Sequence, residues 1–439
     1  MTPLPDPMPV APIEGPIDVV VSLPGSKSIT NRALVCAALA DGSSTLTNAL
    51  HADDTEAMVE GLRALGAQID ADWADGRLVV TGAAGRPISD VAIVDARQSG
   101  TTARFLLPVA GLGEGHRRVD AANRMRERPM AEVLDAVRAL GAEVHDVGAP
   151  GHLPVEVVGG TLAGGEVSVR GDVSSQFLSG LLLAGPAMRT GLTARLVGGL
   201  VSQPYVDMTV AVMANFGVTV ERPDAETWVV APQTYRAADV AIEPDASAAS
   251  YVFAAAALLG GSATVTGLGE TSLQGDLAFV DVLEQMGASA ERTADRTRVT
   301  GTGSLRGIDV DMSQLSDTAP TLAVVAAFAD GPTRVTGIGF TRGKETDRVG
   351  NVVAELRRLG IDAIEERNGF AVHPGPLRAA TVQTYDDHRM AMAFALAGLR
   401  FDGVQIADPE CVAKTFPGFW RLLDELRAPS ESGAMVRTP

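Results

Sequence analysis

Lysine is almost absent from this chain. Of 36 basic residues in 439, only Lys27, Lys344 and Lys414 are lysine, and every other basic position is arginine. So biased a composition would have replaced any lysine serving merely as a solvated charge. The three survivors mark places where a compact, rotatable ammonium is wanted and a planar fork will not do. Positive charge as a whole is also scarce: against 54 Asp plus Glu, the formal net charge is -18. That excludes a binder of nucleic-acid phosphates, which needs basic surface in excess, so an anionic ligand must be met by a local positive field within an acidic protein. Cysteine is limited to Cys36 and Cys411, too far apart for a disulfide framework or a zinc site. No apolar run approaches a membrane span, and residues 1–13 lack the basic and apolar regions of a signal peptide. These absences predict a soluble cytoplasmic protein with no membrane or nucleic-acid partner. No interface pattern stands out, so a monomer is expected, with loose tails at 1–13 and 429–439.

What is present is apolar and repetitive. The chain is 46% hydrophobic, and its length predicts two domains. Five segments share one form, an amphipathic helix end, a glycine and an alternating strand, with the glycines at Gly66, Gly141, Gly217, Gly287 and Gly360. Each glycine reads as a helix C-cap leading into a strand. The period of roughly 70 to 76 residues exceeds that of solenoid repeats. The reading is a set of small α/β modules, with room for six, three to a domain. Helices are expected at 54–65, 102–112, 130–140, 174–187, 206–216, 247–259, 319–329, 346–359 and 389–398. Glu243-Pro244-Asp245 breaks the pattern near mid-chain, and a second crossing falls near Leu23 to Ser26. The domains are therefore expected at 26–244 and at 1–25 joined to 245–439.

Polar clusters recur at the helix starts. In Pro24-Gly25-Ser26-Lys27-Ser28-Ile29-Thr30-Asn31-Arg32 two cations and several hydroxyls meet a helix N-terminus, where free N–H groups already favour an anion. The residue before Lys27 is Ser26, not Gly, so this is no Walker A loop. Similar starts follow at Ser99-Gly100-Thr101, Arg126-Glu127-Arg128-Pro129, Ser174-Ser175-Gln176, Ser202-Gln203-Pro204-Tyr205, Gly343-Lys344-Glu345-Thr346-Asp347-Arg348 and Asp386-Asp387-His388-Arg389. So many suggest helices turning their positive ends on one multiply anionic small molecule. Asp386-Asp387-His388 invites a metal, but Arg389 beside it opposes a cation and no second cluster has ligand spacing. Glu345 and Asp347 read either as an exposed, charged helix start or as a carboxylate tuned by a lysine. Asp317 reads as an N-cap or a catalytic carboxylate, and locally the two are not separable.

Taken in order and spacing, these motifs, with Ala413-Lys414-Thr415-Phe416-Pro417, resemble the 5-enolpyruvylshikimate-3-phosphate synthases from about residue 17 to 426. The resemblance implies an α/β fold of two domains, each of three βαβαββ-type units in an inside-out barrel, closing on substrate in a cleft between them. It implies transfer of the carboxyvinyl group of phosphoenolpyruvate to the 5-hydroxyl of shikimate 3-phosphate, with release of phosphate and no metal or organic cofactor. By the same carry-over, Lys27, Ser28, Arg32, Ser174, Ser175, Gln176, Ser202, Tyr205, Asp317 and Lys344 would hold shikimate 3-phosphate. Lys27, Gly100, Arg128, Gln176, Arg348, His388, Arg389 and Lys414 would hold phosphoenolpyruvate. Asp317, Glu345, Lys344 and Lys27 would carry catalysis. Gly100 matches the glycine that admits glyphosate in sensitive members. One departure stands out: where the family often has Asn four residues before the motif lysine, this chain has Phe340.

Two other readings compete. The enolpyruvyl transferases acting on UDP-N-acetylglucosamine share fold and donor, but use a cysteine or sometimes an aspartate on a mobile loop. Residues 111–124 hold no cysteine, though Asp120 keeps the exception open. A non-catalytic anion-binding protein would need Lys27 and the arginines, but has no use for Asp317 and Glu345 facing an anion.

Overall fold

All five helix–glycine–strand junctions turn through a left-handed residue: φ is 101° at Gly66, 96° at Gly141, 77° at Gly217, 110° at Gly287 and 92° at Gly360. A side chain there would be strained, and glycine ends the helix without that cost. The repeat is thus a repeated way of stopping a helix and launching a strand. The computed structural model describes residues 3–85, 89–427 and 436–437. It divides into two compact units, Gly25–Ile242 and Met1–Pro24 with Glu243–Pro439.

The unit 25–242 carries helices α1 (Lys27–Leu39), α2 (Asp53–Ala64), α3 (Gly100–Ala110), α4 (Asn123–Arg126), α5 (Ala131–Ala139), α6 (Ser175–Ala184) and α7 (Gln203–Asn215). Its described strands form three four-stranded sheets of one construction. In each, two strands pair in parallel, as Val91–Asp95 does with Gly115–Asp120, and two more add antiparallel, as Val155–Gly159 and then Glu143–Asp146 do. The strand Asp239–Ala241 returns from the end of the unit to pair with Ser43–Thr47. The strands alternate buried and exposed residues, which is the period-two pattern of a sheet with one covered face.

The other unit carries α8 (Ala246–Leu259), α9 (Phe279–Gln285), α10 (Ala319–Ala326), α11 (Gly350–Arg358), α12 (His388–Arg400) and α13 (Phe419–Glu425). Of its three described sheets the four-stranded one repeats that plan, the five-stranded one, in which Ile17–Ser22 pairs in parallel with Gly261–Thr266, adds Val436–Arg437 in parallel, and the three-stranded one has a single antiparallel strand, Met8–Val10. α8, α10 and α12 are almost wholly buried and pack against one another. A helix apolar on every side belongs in a core, and here three of them form it.

Two expectations need correction. The helix foreseen at 346–359 begins only at Gly350. The Asp347 carboxylate accepts the N–H groups of Val349 (3.0 Å) and Gly350 (2.9 Å), so the helix starts after the polar motif and Lys344 to Arg348 run as irregular chain. The N-terminal tail is not loose where it is described. Met8–Val10 pairs antiparallel with Val404–Ile406, Asp6 accepts the Asp408 N–H at 2.9 Å, and Val10 lies where a Cβ on Gly398 would meet it at 2.5 Å. Of the C-terminal tail, 429–435 and 438–439 lie outside the described residues, whereas Val436–Arg437 pairs with Val21 and Ser22. No described helix is long and apolar enough to cross a membrane.

Candidate active site

The chemistry-bearing residues fall into two clusters, one in each unit. In the unit 25–242, Ser26 caps α1, its Oγ accepting the Ile29 N–H at 3.4 Å. This leaves Lys27 and Ser28 half-buried on the first turn. The Lys27 ammonium pairs with Asp54 at 3.1 Å, and Asp54 is buried at the start of α2. Arg32 is fully buried and donates to Thr209 Oγ1 (2.7 Å), Ser28 O (2.9 Å) and Tyr205 O (3.0 Å). Its guanidinium lies 5.1 Å from the Phe105 ring centre. Burial lowers its pKa to about 10, so it remains charged at neutral pH.

The starts of α3 and α6 are tied together. Arg104, buried on α3, donates to Gln176 Oε1 at 2.6 Å and to Pro129 O at 3.3 Å, while Asn31 of α1 donates to Thr101 Oγ1 at 2.8 Å. Ser174 caps α6 by accepting the Gln176 N–H at 3.3 Å, with Ser175 buried behind it. Ser202 is buried and left-handed (φ 53°) at the start of α7, two residues before Pro204 and three before Tyr205. Gly100 sits under two guanidiniums: a Cβ there would lie 3.0 and 3.1 Å from the Arg128 Nη atoms and 3.2 Å from Arg104 Nη1. The structure therefore places Lys27, Ser28, Gly100, Ser174, Ser175, Gln176 and Tyr205 at helix starts linked by Arg32, Asn31 and Arg104, with Arg128 beside Gly100.

In the other unit the cations are interlocked with carboxylates. Lys344 Nζ donates to Asp317 Oδ1 (2.5 Å) and Ser316 Oγ (3.2 Å). Arg348 reaches the same Oδ1 at 3.1 Å and Arg389 reaches Oδ2 at 2.7 Å. Arg348 also grips Asp387 through Nε (2.7 Å) and Nη2 (3.1 Å), and Glu345 Oε2 at 2.9 Å. Lys414 closes the set on Glu345 Oε1 at 3.3 Å. Four cations face three carboxylates, leaving one net positive charge in a largely buried place.

The electrostatics follow from that packing. Burial pushes the Asp317 carboxyl up, but Arg389, Lys344 and Arg348 outweigh it and hold it well below the usual carboxylate range. Burial lowers the Lys344 pKa, with Asp317 opposing and the like charge of Arg348 assisting. Burial also works against the Arg348 charge, yet Asp387, Glu345 and Asp317 raise its pKa. His388, expected among the anion contacts, is buried on the first turn of α12 with Nδ1 3.6 Å from Asp387 Oδ1. Among the described residues, no group of three or more His, Cys, Asp or Glu could hold a metal ion.

Two residues that sequence reasoning passed over matter here. Asp54, read only as the first residue of the helix expected at 54–65, is the buried partner of Lys27. Glu355, fully buried on α11, accepts from the Gln383 N–H (2.9 Å), Tyr385 Oη (2.7 Å) and Arg358 Nε (2.8 Å). Tyr385 and Asp386 are both left-handed, with φ 55° and 57°, a strained pair that turns the chain into Asp387. Glu355 thus braces the loop that delivers Asp387 and Arg389. Its signal was a carboxylate on the apolar side of α11, among Val352, Val353 and Leu356.

Comparison with known proteins gives a consistent result. The family model of EPSP synthase (3-phosphoshikimate 1-carboxyvinyltransferase) matches residues 12–423. A 3-phosphoshikimate 1-carboxyvinyltransferase of Trichormus variabilis is 43% identical over 406 residues, which is 92% of this chain and 95% of that protein. Among solved structures, an EPSP synthase from Acinetobacter baumannii has a TM-score of 0.79 at 24% identity, covering 95% of this chain and 97% of its own. The enolpyruvyl transferase NikO from Streptomyces tendae has a TM-score of 0.75 at 22% identity, covering 96% and 97%. These two structures show the shared two-domain enolpyruvyl transferase fold; the family match distinguishes among enzymes that use it.

Proposed function

This chain belongs to the EPSP synthase family and is a 3-phosphoshikimate 1-carboxyvinyltransferase, an enzyme of aromatic amino acid biosynthesis; on that premise we propose how its two clusters divide one reaction. The observation that carries the proposal is the set of Lys344, Arg348, Arg389 and Lys414 locked onto Asp317 and Glu345. An anion-binding protein gains nothing from carboxylates placed there, whereas an addition–elimination needs groups that trade protons.

Shikimate 3-phosphate takes the helix starts of α1, α6 and α7, with Lys27, Ser28, Arg32, Ser174, Ser175, Gln176, Ser202 and Tyr205 around it and Asp317 and Lys344 at its reacting hydroxyl. Phosphoenolpyruvate, whose phosphate and carboxylate suit bidentate forks, is held by Lys27, Arg128, Gln176, Arg348, Arg389 and Lys414, with Gly100 leaving it room. His388 contributes by shaping the α12 start.

In the addition step the 5-oxygen bonds to C2 of phosphoenolpyruvate, its proton leaves, and C3 gains a proton. Asp317, held ionised by three cations, accepts the hydrogen bond of the 5-hydroxyl and orients it. Lys344, pushed down by burial, is the neighbouring amine that takes that proton in addition and gives it to the departing phosphate in elimination. Glu345, bonded to the phosphoenolpyruvate-binding Arg348 and Lys414, serves C3, giving a proton in addition and removing one in elimination as the C2–O bond to phosphate breaks. Excluding water protects the oxocarbenium-like centre at C2.

The rival acceptor, UDP-N-acetylglucosamine, would require Asp120 as an acid. Here Asp120 ends a strand and is tied to Arg126 (2.9 Å), Arg118 (3.1 Å) and the Ala121 N–H (2.8 Å). Burial raises its pKa but these partners lower it further, which suits a strut and not a proton donor. The reading places the enzyme in the cytoplasm as a monomer, competitively inhibited by glyphosate against phosphoenolpyruvate. The decisive assay is phosphate release from phosphoenolpyruvate with shikimate 3-phosphate and, separately, with UDP-N-acetylglucosamine. Release with the first acceptor alone is expected; release with the second alone overturns the proposal.

A further inference from the structure

Phe340 is an aromatic residue lying beside a working cation. It sits in the 3-10 turn Gly339–Gly343, half-buried, with the Lys344 ammonium 5.5 Å from its ring centre. The turn is fixed at both ends: Asn368 Oδ1 accepts the Gly339 N–H (2.9 Å), Ile338 O accepts from Thr341 N (2.9 Å) and Oγ1 (2.7 Å), and Thr341 O accepts the Lys344 N–H (3.2 Å). The ring and the lysine are therefore presented to each other by the backbone. The charged and titratable groups facing this ammonium are Asp317 from the 316–318 turn, and Glu345 and Arg348 from its own segment. Asp317 Oδ1 and Ser316 Oγ take two of its hydrogen bonds. Arg348 repels it, and burial disfavours its charge.

A phenyl face attracts a cation through its quadrupole, yet it can neither take a proton nor hydrogen-bond to a substrate oxygen. We propose that Phe340 is a positioning residue for Lys344, its ring face holding the charged ammonium against Asp317 and offsetting the repulsion of Arg348. The proposal rests on the reading above, in which Lys344 trades a proton during turnover. It also gives the departure at this position a function: a polar side chain there would compete for the ammonium or for the substrate, whereas the ring guides the lysine alone.

The scarcity of lysine makes a direct test available. Protein labelled with 13C at lysine Cε carries three lysine signals, from Lys27, Lys344 and Lys414, and Lys344 is assigned by its loss in Lys344→Arg. The ring favours the charged form, so removing it in Phe340→Leu should lower the Lys344 titration midpoint by about half a pH unit and abolish its ring-current shift. Incorporating 3,4,5-trifluorophenylalanine at 340 keeps shape and weakens the face, and should give a smaller shift of the same sign. Phe340→Tyr should leave the midpoint in place. The acidic limb of kcat, where Lys344 must be free to take a proton, should move with the midpoint in each variant. An unchanged midpoint in both Phe340→Leu and the trifluoro protein overturns the proposal. A midpoint that moves while the kcat profile stays fixed upholds the contact and removes Lys344 from the proposed reaction.

Discussion

The two clusters hold their cations in opposite ways. In the unit 25–242, Arg32 rests on a hydroxyl and two carbonyls and Arg104 on an amide and a carbonyl; Asp54, on Lys27, supplies a carboxylate there. In the other unit Lys344, Arg348, Arg389 and Lys414 all bond to carboxylates. A cation on neutral acceptors keeps its charge for an incoming anion, whereas one on a carboxylate is offset until a substrate shares it. The first arrangement is a standing anion seat. The second is an interlocked set of charges, one positive in excess, that a substrate redistributes, which is what proton transfer requires.

The comparison breaks most readily at Glu345. Glu345→Gln keeps an acceptor oxygen for Arg348 and Lys414 but removes the charge and the proton. The expected fall in kcat is on the order of 10²–10⁴, with shikimate 3-phosphate binding by calorimetry within about threefold of wild type. Lost affinity with intact turnover would make the second cluster a seat like the first.

Lys27→Arg asks the reciprocal question of the anion seat. If only charge mattered, arginine would serve. We expect activity to fall roughly a hundredfold, because a planar fork does not fit a place bounded by Asp54 and the α1 N-terminus and a small misplacement is costly there. Near wild-type turnover would remove the argument drawn from lysine scarcity.

How much of this was legible in the sequence depends on how far apart the partners lie. The helix stops at Gly66 and its four counterparts, and the polar helix starts that hold Ser26, Ser174 and Asp387, are settled within a few residues and could be read directly. So could the three lysines. The N-terminal strand could not, because Met8–Val10 pairs with residues about four hundred positions away. Nor could the late start of α11: Asp347 reads as one of several charges in a row until its carboxylate is seen taking two backbone N–H groups. His388 lies buried beside its motif neighbours Asp387 and Arg389, which enter the charge network. Glu355 was missed because a buried carboxylate declares itself only through its partners, and here these include Gln383 and Tyr385 on another loop.

Gly100→Ala sharpens the comparison on the seat side. The new Cβ would stand 3.0 Å from Arg128 Nη1 and 3.2 Å from Arg104 Nη1, tight contacts with the ends of two side chains that can yield by a few tenths of an ångström. Displacing Arg128 should raise KM for phosphoenolpyruvate about tenfold and weaken glyphosate inhibition at least as much. Turnover at saturation should change far less, because the carboxylates proposed to trade protons are untouched. A fall in kcat with KM unchanged would assign Gly100 to chemistry instead of binding.

The smallest expected effect concerns stability, and it separates the clusters by charge alone. Burial raises the Asp317 pKa, but Arg389, Lys344 and Arg348 depress it to a net value well below the ordinary one. A depressed carboxylate contributes stability that is fully present above its unfolded pKa, about 3.9, and is lost as pH falls through the folded value. Asp317→Asn should therefore lower Tm at pH 7 by roughly 3 °C, because three cations lose a shared counter-charge. The gap from wild type should narrow below about pH 4, where wild type begins to lose the same contribution. Scanning calorimetry of both proteins from pH 7 to 3 reads it. A gap independent of pH would mean that Asp317 matters through its hydrogen bonds, and the charge balance ascribed to this cluster would then rest on Glu345 and Asp387.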